Sequence, residues 1–369
     1  MALVQEIVLL AIIGPFGALA DRIGRRKVGM MGYLITAIAY LLYPFATSVE
    51  MLTVCRVIFA VGVAGVVSTF TVVLTDYPQE RSRSKMVATC SILNGLGIAI
   101  LGPLCAQLPY VFTNAGYDAA TAGQLSLGLV AALALFTGII FTSGIVAYRP
   151  GVPHQKQPLM HLIRDGLVAA RNPRIALAYF SAFAARGDVV VVGTYLSLWY
   201  TQAGATVGLS TADAVSEAGK LFGIAAGIGL LAGPVFIAIG DRINRVSGLI
   251  LGMGIAAAGY ISFGLLPSPL ASGAIFAAIL LGLGQTSSII VGQTLIGQES
   301  DPRITGAVLG VFNFFGAFGT LIGAVVGGFL FDLWRPGGPF LLMGAANLTI
   351  VLAAVYVRAR FPGDKLVTG

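Results

Sequence analysis

Apolar runs of about 20 residues recur along this sequence and are separated by short polar turns. A helix rises about 1.5 Å per residue, so about 20 apolar residues span the hydrocarbon core of a bilayer. The strands of a membrane β-barrel would instead appear as segments of about ten residues with alternating polarity. Of the 369 residues, 57% are hydrophobic and only 10% are charged. The sequence therefore predicts an all-α membrane protein that resides in the lipid bilayer.

The apolar runs predict eleven transmembrane helices, five before the longest polar connection and six after it. They lie near residues 3–20, 28–48, 51–75, 85–113, 125–147, 175–204, 217–240, 245–267, 269–297, 304–333 and 337–357. We expect an N-terminal bundle at 1–147, a linker at 148–174 and a C-terminal bundle at 175–369. In the linker, Leu159, Met160, Ile163 and Leu167 share one helical face, which is typical of an amphipathic helix on a membrane surface.

Lys and Arg residues are concentrated at one set of predicted helix ends. Eighteen of the 22 lie in clusters near 22–27, 81–85, 149–174, 242–245, 303 and 358–365. If successive helices alternate in direction, these clusters share one side of the membrane, and the positive-inside rule makes that side cytoplasmic. We therefore expect the middle loop and the C-terminus in the cytoplasm. The net charge of +7 reflects this topology, and no nucleic-acid partner is expected.

An internal repeat relates the two predicted bundles. The repeated positions are Asp21-Arg22-Ile23 with Asp241-Arg242-Ile243 and Gly62 with Gly282 at an offset of 220, and Asn94 with Asn313 at an offset of 219. The span at 175–204 has no counterpart at either offset. We therefore expect that the first bundle lacks its first helix and that this chain holds eleven of twelve ancestral helices.

The stretch 17–27, GALADRIGRRK, joins the first two predicted helices. It resembles the loop signature of the major facilitator superfamily, whose pattern is matched here by Gly17, Asp21, Arg22, Gly24, Arg25, Arg26 and Lys27. The resemblance implies two helical bundles around a central cavity that opens alternately to each side of the membrane. It also implies secondary active transport. Because no catalytic pattern is visible in the sequence, we expect neither an enzymatic activity nor a cofactor.

In that family the signature loop closes the cytoplasmic side, so the resemblance implies a gate in each half. The expected gate residues are Gly17, Asp21, Arg22, Gly24, Arg25, Arg26 and Asp76 in the first half, and Asp241, Arg242, Arg245 and Glu299 in the second, with Arg303 nearby. The second copy is degenerate, because Ile237 replaces Gly17 and Asn244 replaces Gly24. The alternative for both loops is that their charges only set the topology.

Charged residues at membrane depth are costly and are therefore candidates for function. Arg186 and Asp188 lie near the middle of the span 175–204, about 200° apart around the helix, so they should face different surroundings. Asp188 is expected to carry a proton or sense the substrate, because a carboxyl group removed from water holds a proton more readily. Arg186 is expected to bind a carboxylate or phosphate group. The alternative is that each residue meets a partner on a neighbouring helix and fixes packing.

Other polar and aromatic residues complete the predicted substrate or proton pathway. They are Tyr195 and Trp199 on the same helical stripe as Asp188, the arginine Arg56, and the amides Asn94, Gln285 and Asn313. Arg56 matches part of an arginine motif of the family, with Glu6 as its expected ion-pair partner and snorkelling to the external surface as the alternative. For each amide, the alternative is a hydrogen bond between helices.

No pattern in the sequence is typical of an enzyme or a metal protein. The three cysteines, Cys55, Cys90 and Cys105, lie in apolar runs without paired spacing, and the linker histidines, His154 and His161, have no neighbouring ligand cluster. The predicted function is secondary active transport of a small organic solute by alternating access, coupled to protons. We expect a monomer in the plasma membrane. An inactive transporter fragment and a non-transporting membrane receptor are the alternatives.

Overall fold

The computed structural model describes residues 2–76, 80–144, 159–300 and 304–361. This part of the chain is helical throughout, with twelve α-helices and a short 3₁₀ helix, Tyr43–Phe45. The first five helices are α1 (Ala2–Ile23), α2 (Arg25–Leu42), α3 (Val49–Asp76), α4 (Glu80–Asn114) and α5 (Ala119–Gly144). They are followed by α6 (Leu159–Ala169), α7 (Pro173–Thr206), α8 (Thr211–Arg242), α9 (Arg245–Gly264), α10 (Ala274–Glu299), α11 (Thr305–Leu333) and α12 (Gly338–Arg360).

Ten of the described helices are long and apolar enough to cross a membrane. They are α2 to α5 and α7 to α12, and they confirm an all-helical membrane protein. The sequence predicts eleven spans, and the difference is α1, in which the apolar stretch is the shorter Ile7–Gly17. The remaining helix, α6, has only 11 residues and lies in the predicted linker.

Contacts between Cα atoms divide the chain into two compact units. The first comprises Met1–Gly97 and Leu104–His154, and the second comprises Ile98–Pro103 and Gln155–Gly369. The amphipathic helix α6 belongs to the second unit. There it packs against α11, because Gly166 lets the two backbones approach closely, and the Tyr179 hydroxyl donates a hydrogen bond to the Gly166 carbonyl at 2.7 Å.

Helix packing within each unit follows the sequence repeat. In the first unit α3 packs against α1 and α2, and α2 packs against α5. In the second unit α10 packs against α8 and α9, and α9 packs against α12 in the same way. The repeated glycines both lie at close helix contacts but have different neighbours, since Gly62 faces the α2 backbone and Gly282 faces the α8 backbone. Among the helices described before residue 145, none corresponds to α7.

Two of the helices that begin earlier than the apolar pattern predicts are capped by polar residues. Asp118 accepts hydrogen bonds from the amides of Ala120 and Thr121, so α5 begins at Ala119 instead of near residue 125. Ser210 accepts a hydrogen bond from the amide of Asp213, so α8 begins at Thr211 instead of near residue 217. Such side chains satisfy amides that the first turn of a helix leaves unpaired.

Helix α7 lies at the centre of the second unit and packs against α8, α10, α11 and α12. Half of its 34 residues are buried. Small residues permit the close contacts, as at Gly319 of α11, where a Cβ atom would collide with the backbone of Phe183. An aromatic cluster of Trp199, Phe263 and Phe340 fills the space between α7, α9 and α12. This packing fixes the direction in which each side chain of α7 points.

Candidate functional site

Gly24 forms the turn between α1 and α2. Its φ angle of 99° and ψ angle of 141° lie in a region that residues with a side chain rarely adopt. The corresponding residue in the second unit, Asn244, has a φ angle of −57° and caps α9, since its Oδ1 accepts a hydrogen bond from the amide of Val246 at 3.0 Å. The two loops therefore make different turns, which explains why the second copy tolerates the loss of glycine.

The charges of the first loop are described only in part. Arg22 and Arg26 are exposed, and Arg25 is half-buried. The side chains of Asp21 and Asp76 lie outside the described residues, as do those of Asp241 and Arg242 in the second loop. The network of Asp21, Arg22 and Asp76 therefore stays a prediction. Gly17, the first glycine of the signature, has open space beside its Cα atom.

In the second unit, Glu299 at the end of α10 binds Arg174 in the first turn of α7. The Arg174 Nη1 and Glu299 Oε1 atoms lie 2.8 Å apart, and each side chain is 19% exposed. Asn172 Nδ2 donates to Glu299 Oε2 at 3.3 Å, and Arg174 Nη2 donates to the Phe361 carbonyl at 3.1 Å. The cluster thus joins the ends of α7, α10 and α12.

Arg174, the partner of Glu299, is not among the expected gate residues. A signal for it exists, since Asn172 and Pro173 are the preferred residue types for an N-cap and the first helical position. They place Arg174 in the first turn of α7, where Asn172 Oδ1 accepts its amide hydrogen. The expected partner Arg245 instead donates from Nε to Gln298, the neighbour of Glu299. Arg303 lies outside the described residues.

Asp188 is completely buried in the middle of α7. Asn347 of α12, also 0% exposed, donates from Nδ2 to both carboxylate oxygens of Asp188, at 3.0 Å and 3.1 Å. Tyr260 of α9 is equally buried and lies close enough to interact electrostatically with Asp188. Within the described residues, no Lys or Arg forms a salt bridge with Asp188. The buried acid thus has one neutral hydrogen-bond donor, Asn347, and a second neutral polar group, Tyr260, nearby.

Arg186, two residues earlier on α7, is exposed. Its side chain runs alongside α11, where a Cβ atom on Gly316 would lie 2.9 Å from Arg186 Cγ. No hydrogen-bond or ion-pair partner for Arg186 occurs in the described part of the chain. Arg186 and Asp188 therefore lie in different surroundings, as their angular separation predicts, and of the two only Asp188 has a partner among the described residues of a neighbouring helix.

Tyr195 and Trp199 follow Asp188 on the buried side of α7. Tyr195 donates a hydrogen bond from its hydroxyl to the Ala324 carbonyl at 2.5 Å and stacks against Phe331. Trp199 belongs to the aromatic cluster described above. These contacts account for both residues as packing groups inside the second unit.

The predicted pathway amides lie at separate places. Asn94 and Asn313 are exposed, and Asn313 donates from Nδ2 to the Leu309 carbonyl of its own helix at 3.0 Å. Gln285 on α10 is half-buried. The structure brings none of the three into hydrogen-bonding contact with Arg186 or Asp188. The predicted pathway does not include Asn347, which contacts Asp188, although a lone amide inside an apolar helix is itself a signal of function.

Arg56 of α3 contacts polar and aromatic groups of the first unit. Its Nη1 donates to Gln5 Oε1 of α1 at 2.8 Å, and its guanidinium carbon lies 5.8 Å from the centre of the Tyr43 ring. The expected partner Glu6 has a side chain outside the described residues. Within the described side chains, Arg56 therefore has one neutral hydrogen-bond partner and one cation–π contact.

Metal ligands are not clustered in the described part of the chain, where no group of three or more His, Cys, Asp or Glu residues is present. Cys55 is buried, and Cys90 and Cys105 are half-buried and unpaired by disulfides. His154 and the side chain of His161 lie outside the described residues.

Curated relatives cover nearly the whole chain. The magnetosome protein MamH of Paramagnetospirillum magneticum is 28% identical over 369 residues, which are 98% of this chain and 83% of that protein. The magnetosome protein MamZ of Magnetospirillum gryphiswaldense is 26% identical over 96% of this chain, but this alignment spans only 55% of MamZ. The multidrug resistance protein MdtG of Salmonella typhi is 24% identical over 86% of this chain and 74% of its own length.

A solved structure shares the fold. It is a bacterial homologue of the human lysosomal transporter Spinster in an inward-facing, unoccupied conformation, with a TM-score of 0.60 and 17% sequence identity over 97% of this chain and 88% of that one. The family model of the Major Facilitator Superfamily matches residues 1–317. The helical fold and the tandem repeat agree with this match, and the chain therefore belongs to the Major Facilitator Superfamily of membrane transporters.

Proposed function

We propose that this protein is a secondary transporter that moves a small organic anion by alternating access, with proton coupling. The observation that carries the proposal is the separation of two charges in the middle of α7, with Asp188 fully buried and Arg186 exposed. Maintaining either charge at membrane depth is costly, which favours a function for both.

Arg186 is proposed to bind the anionic group of the substrate. Its guanidinium has several donors in a planar fork that suits a carboxylate or a phosphate, and no described side chain occupies them. The small residue Gly316 leaves room for the side chain beside α11. A cationic or neutral substrate would leave this arginine without a counter-ion.

Asp188 is proposed to carry the coupling proton. An ionised carboxylate inside α7 would have only neutral polar neighbours, whereas a proton removes the buried charge. Tyr195 and Trp199 are left out of the proposed pathway because packing contacts account for them. The second gate is extended to include Arg174, which binds Glu299.

Counterflow in proteoliposomes tests the substrate class. Proteoliposomes that contain the purified protein are loaded in turn with a dicarboxylate, a phosphate ester, a neutral sugar or a cationic dye. Uptake of the same solute in labelled form is then measured. We expect counterflow only with an anion, its loss in Arg186→Gln, and partial retention in Arg186→Lys. Lys220→Gln, at an exposed position of α8, serves as the control. Folded protein that exchanges none of the four solutes would contradict transport, and preference for the dye would contradict the anion.

Proton-driven accumulation tests the coupling. We expect Asp188→Asn to abolish accumulation under an imposed pH gradient while exchange at equal pH continues. Asp332→Asn, at an exposed position of α11, should leave both unchanged. Unchanged accumulation in Asp188→Asn at several pH values would exclude Asp188 as the coupling residue.

The proposed location is the cell membrane, with the middle loop and the C-terminus in the cytoplasm, as the distribution of basic residues favours. Relatives that are named magnetosome proteins favour the magnetosome as a second location. Membrane fractionation with a C-terminal epitope distinguishes the two. The epitope should be accessible to antibody only after the cells are permeabilised.

A further inference from the structure

Three completely buried polar side chains from three helices lie near one another in the second unit. They are Asp188 of α7, Asn347 of α12 and Tyr260 of α9. Asn347 Nδ2 donates both to Asp188 and to the Met343 carbonyl of its own helix, at 2.9 Å in the latter case. Both hydrogens on Asn347 Nδ2 are therefore donated in hydrogen bonds.

Two atoms of this cluster have no hydrogen-bond partner in the described part of the chain. They are Asn347 Oδ1 and the Tyr260 hydroxyl oxygen. Buried polar atoms are nearly always hydrogen-bonded, so unpaired ones call for an explanation. An ionised carboxylate has only acceptors and cannot pair with Asn347 Oδ1, whereas a protonated one has a hydroxyl group to donate.

We infer that Asn347 is the positioning residue for a proton on Asp188, an inference that rests on the proposed role of Asp188 in coupling. In the protonated state the Asp188 hydroxyl donates to Asn347 Oδ1, and Asn347 Nδ2 donates back to the other Asp188 oxygen. This closed acid–amide pair satisfies every polar atom of both side chains. When the proton leaves, the amide hydrogen bond to Asp188 remains, and the Tyr260 hydroxyl is available as a second donor.

The surroundings of the pair favour a proton over a permanent counter-charge. Among the described residues, the titratable group that interacts with Asp188 is Tyr260. The other described charged side chains on the helices of this unit lie away from the pair, at the exposed Arg186, on α6 or towards helix ends: Arg164, Asp165, Arg174, Asp213, Glu217, Lys220, Arg245, Glu299, Asp332, Arg358 and Arg360. Protonation of Asp188 therefore changes the hydrogen bonding between α7 and α12 directly.

Infrared spectroscopy of the purified full chain in lipid nanodiscs tests the pair. At neutral pH we expect a carbonyl band of a protonated carboxylic acid that is lost in Asp188→Asn and retained in Asp332→Asn. In Asn347→Ala the band should shift to higher frequency, because the acid carbonyl loses its hydrogen-bond donor. Thr349→Ala removes an exposed hydroxyl from the same helix and should leave the band in place. An unshifted band in Asn347→Ala would overturn the inference.

Exchanging Asp188 and Asn347 provides a second test, which does not depend on the folding of one single variant. The double variant Asp188→Asn with Asn347→Asp keeps an acid and an amide face to face, so both the band and the thermal transition should return towards wild type. Either single exchange should unfold at a lower temperature than the double. A double variant no more stable than the single variants would overturn the pair. Loss of the wild-type acid band on adding sodium at constant pH would also overturn it, because it would indicate a cation site instead.

The infrared result is independent of transport. Protein that shows the shifted band but moves no solute would contradict the proposed function and leave the acid–amide pair standing. Protein that couples transport to protons without an acid band at Asp188 would contradict the pair alone.

Discussion

Arg174 and Glu299 join the beginning of α7 to the end of α10, with Nη1 and Oε1 2.8 Å apart. Both side chains are largely shielded from solvent, and Arg174 also donates to the Phe361 carbonyl beyond α12. One ion pair thus fixes three helix ends at the side of the membrane that we expect to be cytoplasmic.

Removing one partner of this pair should destabilise the second unit. We expect Glu299→Gln to lower the free energy of unfolding by about 1 kcal/mol, since the pair is partly shielded from solvent and the loss strands a charge. Thermal unfolding in detergent measures the change. The reversed pair Arg174→Glu with Glu299→Arg should recover part of it. The matched control is Glu217→Gln, which breaks an exposed pair with Lys220 and should cost much less. Equal losses at both pairs would contradict the structural role.

Gly24 should resist substitution because of its backbone conformation. We expect Gly24→Ala to cost about 1–3 kcal/mol, because its φ angle of 99° is unfavourable for a residue with a Cβ atom. Thermal unfolding and the counterflow rate both report the effect. Gly17→Ala is the control within the same signature, since nothing lies within 4 Å of an added Cβ atom there. If Gly24→Ala and Gly17→Ala change the thermal unfolding and the counterflow rate equally, the backbone conformation at Gly24 does not explain why the signature has glycine there.

Close contact between α7 and α11 depends on Gly319. An added Cβ atom would overlap the backbone of Phe183, so we expect Gly319→Ala to destabilise the protein by about 1–3 kcal/mol. Gly310 lies on the same helix with open space around it. Gly310→Ala should be neutral or stabilising by up to about 1 kcal/mol, because alanine is the better helix former. Thermal unfolding of the two variants measures the contrast, and a smaller loss at Gly319 than at Gly310 would refute it.

Asp118 should make the start of α5 sensitive to acid. The hydrogen bond from the Thr121 hydroxyl, followed by that from the Thr121 amide, lowers the pKa of Asp118 from its ordinary value. A lowered folded-state pKa means that the capping contribution is complete above the unfolded-state value near 4 and is lost as the pH falls through the folded-state pKa.

Hydrogen exchange of the intact protein checks this dependence, when it is followed in the proteolytic fragment that begins at residue 118. At neutral pH the amide hydrogens at the start of α5 should exchange faster in Asp118→Ala than in wild type. This difference in exchange rate should vanish in acid. Asp118→Asn should stay protected throughout, because asparagine also caps helices and does not titrate. A difference between Asp118→Ala and wild type that is independent of pH would contradict an ionised cap.

The sequence alone determined the membrane class, the succession of helices, the tandem repeat and the family. These properties depend on the length and spacing of apolar runs and on one loop signature, all of which are local in the chain. The angular separation of Arg186 and Asp188 is local too, since it follows from helix geometry. The helix starts at Ala119 and Thr211 differ from the predicted ones because the capped first turns of these helices lie before the apolar runs on which the prediction depends.

Only the tertiary structure decided which residues meet. Asn347 reaches Asp188 across 159 residues, and Arg174 reaches Glu299 across 125. Each partner depends on how neighbouring helices are rotated and how closely they approach, which small residues such as Gly319 permit. A periodic pattern indicates that a helix has a buried face, but the neighbour that covers this face is set by the packing of all the helices together.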